Sequence, residues 1–190
     1  MNVIFLDFDG VLDTYHFEID EDVEKKIKVL ADICHMYDAK VVIEASARVT
    51  INEETMEIDS KSEFVLYVFY LFNKYDIDVI GRTPNVKRYI SSDKVGHIDG
   101  WKEDEIRLFL FRHPEIEHYC VIDDDDLSDT HRKSDLDKIR PHLVKTEDYS
   151  DNPEEEGLLP KHMEEVGEKL KVENEVRRLV LKYKNKYKNS

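Results

Sequence analysis

"NVIFLDFDGVLDT", residues 2–14, runs an apolar stretch straight into Asp7, Asp9 and Asp13, with Gly10 wedged between them. Val3 to Phe8 has the length and the β-branched and aromatic content of a strand buried on both faces. Strands of that kind sit in parallel sheets covered by helices, so the aspartates fall at the strand's carboxyl end. A single Asp at such an exit is an ordinary turn former. Two acids separated by one residue and followed by a glycine suggest chemistry.

Outward from this stretch, apolar runs alternate with helical patterns. Asp22 to Tyr37 sets Val23, Ile27, Leu30, Ile33 and Cys34 on one helical face. Lys40 to Ile43 reads as a second strand. Ser62 to Tyr75, containing FVLYVFYLFNKY, reads as a helix whose aromatic and β-branched content keeps strand as the alternative. Its apolar stripe suits a core better than a base-stacking platform. Ile77 to Ile80 is a third strand ending at Gly81. Arg82 to Gly100 is a loop, and Trp101 to Arg112 a helix. His118 to Ile122 is a fourth strand running into Asp123 to Asp126. Ser128 to Ile139 is polar, helical or loop, and Leu143 to Lys145 is a fifth strand. A turn-rich acidic segment leads to one long helix from about Pro160 to Tyr187, striped by Val166, Leu170, Val176, Leu179, Val180 and Tyr183. The alternation predicts an α/β fold with a five-stranded, mainly parallel sheet in three layers. Residues 1–165 form the α/β body, and 166–190 add a helix with a basic tail to the same domain.

With 41% apolar and 37% charged residues in 190, the chain reads as soluble and globular. It has no apolar run of membrane-spanning length and no basic leader before Asp7, so the expected location is the cytoplasm. Cys34 and Cys120 lie in apolar-periodic segments and are expected to be buried thiols. The net charge of −15 argues against non-specific nucleic-acid binding by the body of the protein. From Lys171 onward, however, seven Lys or Arg stand against two Glu. A polyanion would meet this tail first, although cations at a helix's carboxyl end also serve its dipole.

In open α/β sheets, ligands bind beyond the carboxyl ends of the strands. Acids stand at two such ends, Asp7 and Asp9 after the first strand and Asp123 to Asp126 after the fourth. If these strands are neighbours, three or four carboxylates converge, and like charges within about 4–6 Å destabilise one another unless a cation intervenes. Oxygen ligands without a His/Cys cluster suit Mg²⁺ rather than Zn²⁺. Gly10 permits a positive φ and a close backbone approach to an anion. One carboxylate is then available to attack and another to handle protons.

"DFDGVLDT" resembles the first motif of the haloacid dehalogenase (HAD) superfamily, and within it the small HAD domains of Swiss Army Knife RNA-repair proteins. The resemblance extends through VVIEASAR (41–48), VIGRTP (79–84), WKEDEI (101–106), HPEIEHYCVIDDDD (113–126) and LVKTEDYSDNPEEEGLLPKHMEE (143–165). It implies that Asp7 is the nucleophile that becomes an aspartyl-phosphate and that Asp9 is the general acid and base. It implies that Asp7, the backbone carbonyl of Asp9, Asp123 and Asp124 hold Mg²⁺, and that Lys102 steadies phosphate and nucleophile. Lys87, Arg88 and Lys94 are rivals for that last role. After VVI the family pattern has hydroxyls, whereas this chain has Glu44; the phosphate-binding role passes to Ser46 and Arg48. Glu44 would repel a phosphate unless it turned away or were paired, with Arg48 the candidate partner.

The intervals after the first and second motifs are too short for a large cap, so the site should be open. The reading is a Mg²⁺-dependent phosphomonoesterase acting on a phosphorylated substrate, with a nucleic-acid or nucleotide terminal phosphate as candidate and no membrane partner. The alternatives are a catalytically weak binding or regulatory module of the same fold, and a phosphotransferase.

Overall fold

The computed structural model describes residues 1–13, 19, 21–89, 97–99, 101–127, 138–148 and 152–188. In chain order the elements are β1 (Asn2–Leu6), α1 (Glu21–Tyr37), β2 (Ala39–Ile43), α2 (Glu63–Lys74), β3 (Val79–Arg82), β4 (Lys87–Tyr89), β5 (His97–Asp99), α3 (Lys102–Arg112), β6 (His118–Asp123), β7 (Leu143–Lys145), α4 (His162–Lys169) and α5 (Glu175–Lys188). Among the described residues, five strands form a parallel sheet in the order β3-β2-β1-β6-β7. β1 is central, and its neighbours are β2 and β6. The first and fourth strands of the sequence reading are therefore adjacent.

Alternation along each strand builds two cores. Ile4, Leu6, Val41, Ile43, Cys120, Ile122 and Val144 face the layer of α1, α2 and α4. Val3, Phe5, Val42, Tyr119, Val121 and Leu143 face α3 and α5. Each fully buried aliphatic or aromatic side chain contributes about 1.5–3 kcal/mol, so the continuous apolar runs hold the central strands rigid up to their carboxyl ends. Phe5 anchors the second layer through edge-on contacts to Phe109 and Tyr119, with ring centroids 5.7 and 5.8 Å apart.

The aromatic segment is helical over Glu63–Lys74. Ser62 caps it by accepting the Val65 N–H, and Phe64, Val65, Val68, Leu71 and Phe72 are buried. Both cysteines are free and buried, and burial pushes the Cys34 thiol up to about 12.

Two expectations need correction. The segment expected as a loop from Arg82 to Gly100 contains a short antiparallel strand pair, β4 with β5. The single helix expected from Pro160 to Tyr187 is two. Asn174 ends the interruption, its side chain accepting the Arg177 N–H and donating to the Ile116 carbonyl, both at 3.0 Å. The break carries the chain around the sheet, because Val166 and Leu170 join the α1 side whereas Val176 and Val180 join the α3 side. One straight helix could not serve both cores. Thr14, Lys94 and residues 128–137 of the polar segment lie outside the described residues, as do the side chains of Lys87 and Arg88.

Candidate active site

The sheet register assembles the site. Leu6 lies opposite Ile43 on one side and Ile122 on the other, so the next residues, Glu44, Asp7 and Asp123, form one row at the carboxyl edge. Backbone bonds continue the ladder into this row, from Glu44 N–H to the Leu6 carbonyl at 2.8 Å and from Asp7 N–H to the Ile122 carbonyl at 3.1 Å. Phe5, Val42 and Val121 face α3, and two residues further on the three acids keep that face. Lys102, the first residue of α3, meets them there. Its Nζ lies 2.5 Å from Asp7 Oδ2, 3.0 Å from both oxygens of Asp123 and 3.3 Å from Asp125 Oδ2.

Ligand oxygens of Asp7, Glu44 and Asp123 lie within 4.8 Å of one another, and these residues are 4%, 0% and 0% exposed. Burial, and then the charge of Asp7, raises Asp123 to about 7 and holds Glu44 well above the usual carboxylate range. Burial works against the Lys102 ammonium, but Asp7 and Asp123 outweigh it and raise its pKa. Among the described residues, both oxygens of Glu44 and the hydroxyl of Thr83, its neighbour in the row on the β3 side, are buried without a hydrogen-bond partner.

The turn after Asp7 is tightly wound. The Phe8 carbonyl accepts the N–H groups of Val11, Leu12 and Asp13, Gly10 N–H donates to the Asp13 carbonyl at 2.7 Å, and Thr146 Oγ1 donates to the Gly10 carbonyl at 2.9 Å. Gly10 has φ 65°, and a Cβ there would lie 2.6 Å from Asp124 Cβ. Both the conformation and the packing require glycine. The turn leaves Asp9 exposed beside the row. Partial desolvation, then the negative Asp7 and Asp13, raises its carboxyl above the ordinary range.

The remaining expected residues fall in different places. Ser46 is exposed at the start of a 3₁₀ turn, Ser46–Thr50. Glu44 neither turns away nor pairs with Arg48. The Arg48 guanidinium instead bonds Glu105 and the Ala45 carbonyl, and Glu105 also accepts the Val86 N–H at 2.9 Å. This clamp ties the segment after β2, the segment after β3 and α3 together, and so seats Lys102. Asp124 is half-buried against Gly10, outside the three-carboxylate group. Asp125 is exposed, reaches Lys102 Nζ at 3.3 Å and donates its N–H to Asp123 Oδ1 at 2.9 Å. Sequence reasoning missed Glu44 as a member of the group, although it follows β2 at the same step at which Asp7 follows β1.

Residues 3–151 match the family described as HAD domain in Swiss Army Knife RNA repair proteins. The chain belongs to this family. No curated protein and no solved structure matches it. Membership supports a HAD-type phosphohydrolase in general. The residues of this HAD domain suit the Mg²⁺ typical of the superfamily: the donors are all carboxylate oxygen, and both oxygens of Glu44 have no hydrogen-bond partner among the described residues. When ionised, three acids against one ammonium leave two negative charges, which one divalent cation balances. Among the described residues, no helix is long and apolar enough to cross a membrane.

Proposed function

We propose that this HAD domain is a Mg²⁺-dependent phosphomonoesterase working through an aspartyl-phosphate on Asp7. The convergence of Asp7, Asp123 and Lys102 at the ends of two adjacent strands and one helix carries the reading. A carboxylate oxygen of Asp7 attacks phosphorus as the bond to the leaving oxygen breaks, and Asp9 supplies that oxygen's proton. Asp9 then takes a proton from water, whose oxygen displaces phosphate from Asp7 and restores the carboxylate. A raised pKa at an exposed position suits Asp9 to both halves. Lys102 holds the Asp7 carboxylate in place and puts a positive charge beside the transferring group. A Mg²⁺ held by Asp7, Asp123 and the Asp9 carbonyl, with Asp124 close by, would neutralise charge on that group. The Ser46 hydroxyl is the candidate contact to a phosphate oxygen, because the Gly10 N–H is already given to the Asp13 carbonyl. The short intervals between motifs favour a bulky substrate, such as a nucleic-acid or nucleotide terminal phosphate.

Hydrolysis of an aryl phosphate with Mg²⁺ tests this. The parent protein should turn over, Asp7→Asn should lose at least about a thousandfold, and Lys102→Met about a hundredfold. Phosphate transferred to an added alcohol would move the assignment to phosphotransferase. No turnover by the parent, or full turnover by Asp7→Asn, contradicts the mechanism. A parent that binds the ion but stays inactive is a binding module, the reading that Glu44 in place of a hydroxyl would favour.

A further inference from the structure

We propose that Glu44 is a direct ligand of the divalent cation, so that this domain holds its metal with a third side-chain carboxylate at the position where its relatives' pattern places a phosphate-binding hydroxyl. The inference rests on the proposed function only for the presence of a cation at Asp7. Glu44 is fully buried, lies in the row with Asp7 and Asp123, and leaves both oxygens without any hydrogen-bond partner. An unpartnered buried carboxylate is costly, and native proteins rarely keep one without a use.

The competing explanation is a neutral carboxyl that donates its proton to a neighbour. A protonated Glu44 would still leave its carbonyl oxygen buried with no donor, whereas a cation would take up the charge and the lone pairs together. The spacing is compatible with a shared ion. Two oxygens each about 2.1 Å from one octahedral ion stand about 3 Å apart when adjacent and about 4.2 Å apart when opposite. The three ligand oxygens lie within 4.8 Å of one another, so small side-chain adjustments bring them onto one ion.

The surroundings point the same way. Lys102 already serves Asp7, Asp123 and Asp125, and Arg48 serves Glu105, so neither cation bonds to Glu44. Thr83, beside Glu44 on the side away from Asp7, has an unpartnered buried hydroxyl of its own. The demand for a ligand is thus confined to the β2–β3 side of the row. With Glu44 on the metal, its charge is spent on the ion and no longer faces the incoming phosphate. That removes the repulsion which a free glutamate at this position would impose.

Titration calorimetry of the full chain with Mn²⁺ and with Mg²⁺ tests the assignment. The parent should bind one ion, Asp123→Asn should lose binding, and Glu44→Gln, which keeps the shape, should weaken it about tenfold or more. Glu44→Asp, which retracts the carboxylate by one methylene, should fall between parent and Glu44→Gln, and it serves as the readout if Glu44→Gln fails to fold. Thermal unfolding without metal should find Glu44→Gln at least as stable as the parent, and its metal-induced rise in Tm should be smaller. Parent-like affinity in the Glu44 variants, with binding lost in Asp123→Asn, overturns this inference and leaves the proposed function standing. A parent that binds neither ion overturns the metal in both.

Discussion

The two halves of the acidic row stand at the same depth in the same sheet and are treated oppositely. On the β1–β6 side, Asp7 and Asp123 share the Lys102 ammonium, and Asp123 also accepts the Asp125 N–H. On the β2–β3 side, the Glu44 carboxyl and the Thr83 hydroxyl have no hydrogen-bond partner among the described residues. The difference teaches where the fold is self-sufficient and where it needs a ligand. One lysine from α3 satisfies the half that carries the proposed nucleophile, which holds the nucleophile in place before any substrate arrives. The other half carries an unmet cost that a bound cation and its waters would relieve.

That contrast can be sharpened on the satisfied side by pH. The Asp123 carboxyl is raised to about 7 by burial and by Asp7, whereas in the unfolded chain it titrates near the ordinary value of about 3.9. Between these values the folded state holds a proton that the unfolded state has released. The resulting stabilisation is complete below the unfolded value and disappears as pH rises through the folded one. Asp123→Asn removes this titration. With a chelator present, the Tm of Asp123→Asn relative to the parent should climb by several degrees from pH 4 to pH 7. A flat difference would show that Asp123 is not held protonated in the fold.

A smaller effect is expected on the unsatisfied side. Thr83→Val exchanges an unpartnered buried hydroxyl for a methyl of similar shape, so in the metal-free protein it should be neutral or stabilising by about 1 kcal/mol. A loss of about 2 kcal/mol or more in denaturant unfolding would mean that Thr83 has a partner and that the two halves are not so different.

Much of this was legible in the sequence. Unbroken apolar runs located β1, β2, β6 and β7, and the acids at the exits of β1 and β6 pointed to the row of carboxylates proposed as the site. That Asp7 and Asp123 adjoin depends on the strand order, with β1 between β2 and β6, which the motif resemblance implied and periodicity alone does not contain. The α4–α5 break left only a faint trace, a six-residue step in the apolar stripe from Leu170 to Val176 with Glu173 and Asn174 between, and no proline or glycine marks it there. Only the positions of the two cores on opposite faces of the sheet make the break necessary. Glu44 was visible as a departure from a pattern. Its place in the row follows from the register of β2 on β1, and Arg48 did not pair with it because Glu105, buried on α3, takes the guanidinium.

The most direct measurement is anomalous diffraction from a crystal of the full chain grown with Mn²⁺. One peak within coordination distance of carboxylate oxygens from Asp7, Glu44 and Asp123 together is the predicted result. A peak on Asp7 and Asp123 with Glu44 turned aside, or no peak in the row, would contradict it.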